Sequence, residues 1–181
     1  MSLVALKDAL PDYARDIRLN LDSTIGVSTL PEQRLWGTVV VTAIASRHAR
    51  TLRELAEEAK GHLSAEALAA AKAAAAVMGM NNIYYRSKHL LAESGVNGYD
   101  DIPARLRMQV IGTHGGVEAA DFEFWCLAAS AVNGCGDCLA AHERTVRAHE
   151  VSREQVHEAI RIASVVHAVA VTLEAEEALS G

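Results

Sequence analysis

The run LSAEALAAAKAAAAVMGM at 63–80 constrains this chain more than any other stretch. Its apolar residues recur at three- and four-residue spacing, which is the signature of a helix face. Its small side chains also let a second backbone approach closely. The same periodicity covers most of the sequence, and no convincing alternating strand interrupts it. The expected fold class is therefore all-α, with about nine helices. A first is expected over 3–20, ended or kinked midway by Pro11. Others are expected from Glu32 to about Ser46, over 49–60, from the Ser64 cap to about Gly79, and over 81–93. Pro103 suits a helix first turn and predicts another to about Ile111, followed by helices near 118–132, 135–149 and 152–179.

The two halves of the chain look alike. Trp36 and Trp125, 89 positions apart, each open an apolar run, and LSAEALAAAKAAAAVMGM parallels VSREQVHEAIRIASVVHA at a displacement of 88. These similarities predict a single helical-bundle domain over 1–181, built from a duplicated unit at about 31–92 and 118–179. The tryptophan offset sets Ser46 and Ala49 opposite Cys135 and Cys138, so only the second copy carries sulfur at that place.

Composition narrows the partners. Half of the residues are apolar, enough for a sizeable core, while a net charge of −6 without a basic stripe excludes nucleic acid as a general partner. MSLVALKDALPDYARD places charges where a signal peptide needs an apolar run, and Arg, Glu, His or Lys interrupt the apolar stretches. The expectation is a cytoplasmic protein with no membrane partner. In a reducing compartment a C-x-x-C pair points to metal binding or catalysis rather than to a structural disulfide.

That pair lies in NGCGDCLAAHE at 133–143, where Cys135, Cys138 and His142 are three and four residues apart and share one helix face. Asn133-Gly134 should end the preceding helix, so Cys135 begins the next, where unpaired N–H groups and the helix dipole favour a thiolate. Cys138, one turn on, is within bonding reach if the side chains converge, and His142 can exchange a proton with it. Glu123, set among Phe122, Phe124 and Trp125, is the upstream carboxylate expected to face inward and move protons. Asp137 disfavours a neighbouring thiolate and should point outward. Cys126 and His167 read as core residues, whereas His48, His62, His89 and His157 read as solvated faces or ends. Three readings of the cluster stay open: a redox dithiol, two small buried residues, or zinc held by C-x2-C-x3-H with Glu123 or His149 as fourth ligand.

FEFWCLAASAVNGCGDCLAAHE resembles the cysteine-bearing segment of the alkyl hydroperoxide reductase AhpD family, within the carboxymuconolactone decarboxylase-like superfamily. MGMNNIYYR at 78–86, LWGTVVV at 35–41 and LKDALPDYARDIRLNL at 6–21 extend the resemblance over essentially the whole length. The resemblance implies a duplicated all-helical subunit, usually a homotrimer. It also implies a thiol peroxidase that regenerates the peroxiredoxin AhpC. Electrons would come from dihydrolipoamide on a lipoyl-bearing 2-oxo acid dehydrogenase component, with no bound cofactor. By motif position Cys138 takes the role of the sulfenic acid and mixed-disulfide cysteine, and Cys135 that of proton donor and disulfide partner. Glu123 and His142 form the proton relay. Dipole reasoning alone would instead favour Cys135 as the nucleophile. Asp137 stands where a neutral or histidine side chain is common in the family. Two rival readings are a zinc-stabilised interaction module and a decarboxylase on the same fold that works without sulfur.

Overall fold

In the computed structural model, which describes residues 2–99 and 101–180, the chain is all-α, and the described residues contain no strand. α1 (Ser2–Ala9) is separated from α2 (Arg15–Leu21) by Pro11 and a 3-10 turn over Asp12–Ala14. A wider π-type turn over Asp22–Gly26 leads to α3 (Glu32–Ser46), α4 (Ala49–Ala59) and α5 (Ala65–Glu93). After a long irregular connection come α6 (Gln109–Thr113), α7 (Ala119–Asn133), α8 (Gly136–Ala148) and α9 (Arg153–Leu179).

Among the described residues the expected number of helices is met through two compensating differences. Pro11 divides the first predicted helix into α1 and α2, whereas α5 runs unbroken for 29 residues through Gly79. One glycine costs a helix interior only about 1 kcal/mol. Here inward-facing contacts continue past it: Asn82 donates to Ser130 Oγ at 2.9 Å and accepts from Asn133 Nδ2 at 2.9 Å. Pro103 does not open a helix. Arg105 adopts a left-handed φ of 49°, which a continuing helix excludes, and regular structure resumes only at Gln109. The intervening side chains, Tyr99, Ile102, Pro103 and Leu106 among them, lie instead along Ile83, Tyr84 and Leu91 of α5 around a cavity of about 630 Å³.

α7 is the centre of the bundle. Residues Asp121 to Ser130 are all buried, and α3, α5, α8 and α9 pack around the helix. A helix apolar on every side has to be enclosed in this way. Serine caps start the two long helices: Ser64 Oγ accepts from Ala67 N, and Ser152 forms a reciprocal capping box with Gln155. α9 is long and apolar enough to cross a membrane by composition, contrary to the expectation that charges break every such stretch. Half of its most apolar window is buried, and the helix packs on α3 and α7.

Helix for helix, α3 and α4 begin 87 residues before α7 and α8, and α5 begins 88 before α9. Those boundaries set His48 and Thr51, not Ser46 and Ala49, opposite Cys135 and Cys138. Both pairs are N-cap pairs, in which the first side chain accepts from the backbone N–H of the second. His48 is therefore not a solvated end: it is 3% exposed and bridges Thr51 Oγ1 (2.9 Å) and Glu177 Oε2 (3.2 Å). His167 departs in the opposite sense. It lies on the solvent side of α9, bonded to Ser46 Oγ at 3.3 Å.

The α3–α7 contact has no slack. A Cβ added at Gly37 would overlap the Trp125 ring, whose Nε1 donates to Arg34 O at 3.2 Å. Gly37→Ala should therefore destabilise the fold by roughly 1–3 kcal/mol or more. Urea unfolding monitored by tryptophan fluorescence measures this, with a lowered midpoint as the expected outcome.

Candidate active site

Two helices, α7 and α8, bring the sequence-predicted residues together. α7 ends at Asn133, Gly134 takes a left-handed φ of 69°, and Cys135 becomes the N-cap of α8. Cys135 Sγ accepts from Cys138 N at 3.3 Å, so the first sulfur sits in the unpaired N–H groups of the helix start. The two cysteines have Cα atoms 5.3 Å apart and are joined by a disulfide, while Cys126 is a free, buried thiol.

One helical turn further on, His142 directs Nδ1 at Glu123 Oε2, 2.6 Å away. Both side chains are largely enclosed, at 12% and 8% exposure. Glu123 faces inward as expected, held there by the burial of α7 around it. With Nδ1 engaged, the nitrogen left to exchange protons is Nε2. Asp137 points outward as expected, and it is not alone: His89 Nδ1 of α5 lies 3.2 Å from its Oδ2, and the other ring nitrogen lies 3.2 Å from Glu93.

Beside these groups opens a pocket of about 330 Å³. Met78, Tyr85, Met108 and Ile111 give it largely apolar walls, and Asn81, Cys138, His142 and the exposed Asp137 also line it. Cys135 does not line this pocket and is 1% exposed, against 7% for Cys138. The two sulfurs thus differ in access: one is sealed at the helix start, and the other opens on the pocket. Sequence reasoning missed the wall residues, because they come from α5, α6 and the residue before α6. The signal that could have marked one of them is Asn81-Asn82, two amides in the middle of an apolar helix.

The geometry does not assemble the zinc site. The two sulfurs are bonded to each other and His142 is turned to Glu123. His149 caps the far end of α8, about 20 Å along the helix by its rise per residue. Among the described residues no group of three or more His, Cys, Asp or Glu side chains is placed to hold a metal ion.

Comparison with known proteins gives the same direction. The chain is 56% identical to the alkyl hydroperoxide reductase AhpD of Streptomyces griseus over 180 residues, covering 99% of both chains. It is 57% identical to that of Streptomyces coelicolor at the same coverage, and 55% identical to that of Rhodospirillum centenum over 181 residues, 100% of this chain and 95% of the other. The chain belongs to the alkyl hydroperoxide reductase AhpD family. The carboxymuconolactone decarboxylase family profile also matches residues 98–180, the part that contains α6 to α9. In this AhpD family member that region carries both cysteines of the disulfide and the Glu123–His142 pair.

Burial and the negative charge of Glu123 push the Cys126 thiol well above its ordinary pKa, so it is protonated at neutral pH and poorly reactive. Native protein reduced with a dithiol and pulsed with iodoacetamide should therefore carry label on Cys138, with Cys126 unlabelled until the fold is opened. Peptide mass spectrometry measures the occupancy of each site.

Proposed function

We propose that the protein is an alkyl hydroperoxidase and thiol–disulfide oxidoreductase working through the Cys135–Cys138 dithiol. The observation that carries this reading is the position of Cys138, bonded to Cys135 and exposed to an apolar pocket that His142 shares. The names of its relatives, alkyl hydroperoxide reductases, support the same substrate class. The Cys138 thiolate attacks the terminal oxygen of R–O–O–H, the O–O bond breaks, and sulfur becomes a sulfenic acid while the alkoxide takes a proton to leave as an alcohol. The Cys135 thiol then displaces water from that sulfenic acid and forms the disulfide. A dithiol donor returns both cysteines to the reduced state through a mixed disulfide.

The difference in access supports Cys138 as the attacking sulfur and Cys135 as the resolving partner. The helix-start position of Cys135 fits this arrangement, because the amides that hold its sulfur also stabilise it as a leaving thiolate when the disulfide is reduced. Glu123 orients His142, and His142 Nε2 passes protons to and from the sulfur and the departing oxygen. Each step balances with thiols alone and needs no bound cofactor.

The family resemblance extends the proposal to the partners: dihydrolipoamide on a lipoyl-bearing 2-oxo acid dehydrogenase component as donor, and the peroxiredoxin AhpC as the disulfide this protein reduces, in the cytoplasm. A homotrimer is proposed on the same basis. Ile83, Leu90, Leu91, Val96, Tyr99 and Ile102 leave an apolar face along α5 and the following loop that a second subunit can cover. The duplicated unit is proposed as well, since cap pairs of unlike chemistry, His48–Thr51 and Cys135–Cys138, serve the same local structure. On that view the thiols are free for chemistry.

Turnover of an alkyl hydroperoxide with dihydrolipoamide as donor tests the reading. Cys138→Ser should abolish it, and Glu123→Gln and His142→Phe should each slow it roughly 10²-fold while leaving the disulfide able to form. Activity that survives loss of both cysteines would instead favour the decarboxylase chemistry of the wider family. With AhpC, Cys135→Ser should accumulate a mixed disulfide on non-reducing gels and Cys138→Ser should not. Light scattering at micromolar concentration should return about three chain masses.

A further inference from the structure

Asn81 stands out on the pocket wall. It is 4% exposed, and its Oδ1 is buried with no hydrogen-bond partner among the described residues. Its neighbour Asn82 is fully explained by the fold, through Ser130 and Asn133. The other buried atom without a partner, Arg18 Nε, belongs to a guanidinium that already donates to Leu10 O. A buried amide left unpaired costs stability, and leucine or methionine at this place would avoid that cost. Asn81 also flanks the chemistry: it lines the same pocket as Cys138 and His142, and Cys138 Sγ lies 4.0 Å from its backbone oxygen.

We infer that the Asn81 carboxamide is a substrate-positioning group that hydrogen-bonds the peroxide oxygens of an alkyl hydroperoxide and aims the O–O bond at Cys138. This rests on the hydroperoxidase reading above and adds what that reading lacks. The walls formed by Met78, Met108 and Ile111 can hold the hydrocarbon part. Besides Asn81, the polar side chains on the lining are Tyr85, Asp137 and His142. Asp137 is met by His89 and His142 by Glu123, whereas Asn81 keeps a buried oxygen without a partner among the described residues. A carboxamide carries one acceptor and two N–H donors. With the carboxamide turned toward the pocket, the hydroperoxide O–H donates to the amide oxygen and an amide N–H donates to the oxygen that leaves, and exchanging the amide O and N exchanges the two roles. Displacement requires the sulfur, the attacked oxygen and the leaving oxygen to lie in line. Sulfur gives up two electrons to the terminal oxygen, the O–O pair departs on the alkoxide, and His142 supplies its proton.

Asn81→Leu and Asn81→Ala test this in the full-length protein with two probes, cumene hydroperoxide and the aromatic disulfide 5,5′-dithiobis(2-nitrobenzoate). The disulfide reacts with the dithiol but presents no peroxide to position. The expected result is a fall of roughly ten-fold or more in kcat/KM for the hydroperoxide relative to the disulfide rate. The Leu variant should have a melting temperature equal to or above that of the unaltered protein, because the unpaired amide is gone. Hydroperoxide and disulfide rates that fall together, or a hydroperoxide rate that does not change, would overturn the role. So would a Leu variant whose losses follow a lowered melting temperature. If the unaltered protein reduces the disulfide but is inert to hydroperoxide, the hydroperoxidase reading itself fails and the positioning role goes with it.

Discussion

The complete burial of α7 is the constraint on which the rest of the molecule depends. Ten consecutive residues, Asp121 to Ser130, have no solvent face, so every neighbour must meet them closely. Gly37 is glycine because the Trp125 ring fills the space of a side chain there. Asp121 at the start of the buried stretch is matched by Arg34 Nε at 2.8 Å and Gln33 Nε2 at 2.8 Å. An enclosed carboxylate requires such partners. Glu123 is subject to the same demand two residues later, and the side chain that meets it is His142. The contact that orients the candidate proton carrier is thus also the contact that makes the buried carboxylate tolerable.

The end of α7 has an equally direct consequence. Asn133 is tied to Asn82 through its side chain, and its carbonyl accepts from Arg86. Gly134 then turns the chain so that Cys135 caps α8. The result is two sulfurs with unlike surroundings, three residues apart. Cys135 has the amides of a helix start and no access, whereas Cys138 has access and the pocket. A dithiol divided in this way can attack with one sulfur and release with the other. The acidic residue between them, Asp137, has a partner from α5, His89, whose Nδ1 lies 3.2 Å from its Oδ2.

What the sequence disclosed follows from what periodicity and local spacing can report. The all-α class, the break at Asn133-Gly134, the helix start at Cys135 and the inward Glu123 all rest on interactions within one turn or one helix, and the structure has them. The errors concern longer range. Gly79 suits a helix end locally, but α5 runs past it, with Asn82 bonded to α7 beyond. Pro103 suits a helix start locally, yet Arg105 takes a left-handed φ and the segment stays irregular until Gln109. His48 and His167 exchange the expected environments, because a polar cap can be buried by a distant helix and an apolar helix still has a wet side. The pocket was invisible for the same reason. Its walls come from three parts of the chain, and only Asn81, a polar residue where the helix should be apolar, left a trace.

The central claim is that Cys138 is the atom that meets the peroxide. The most direct measurement uses Cys135→Ser protein, in which the resolving thiol is gone, exposed to stoichiometric cumene hydroperoxide in the presence of dimedone, a reagent that traps sulfenic acids. Peptide mass spectrometry then reads which cysteine carries the adduct. The account predicts a single dimedone adduct on Cys138, with Cys126 unmodified. An adduct on Cys126, or consumption of peroxide with no adduct on Cys138, would contradict it.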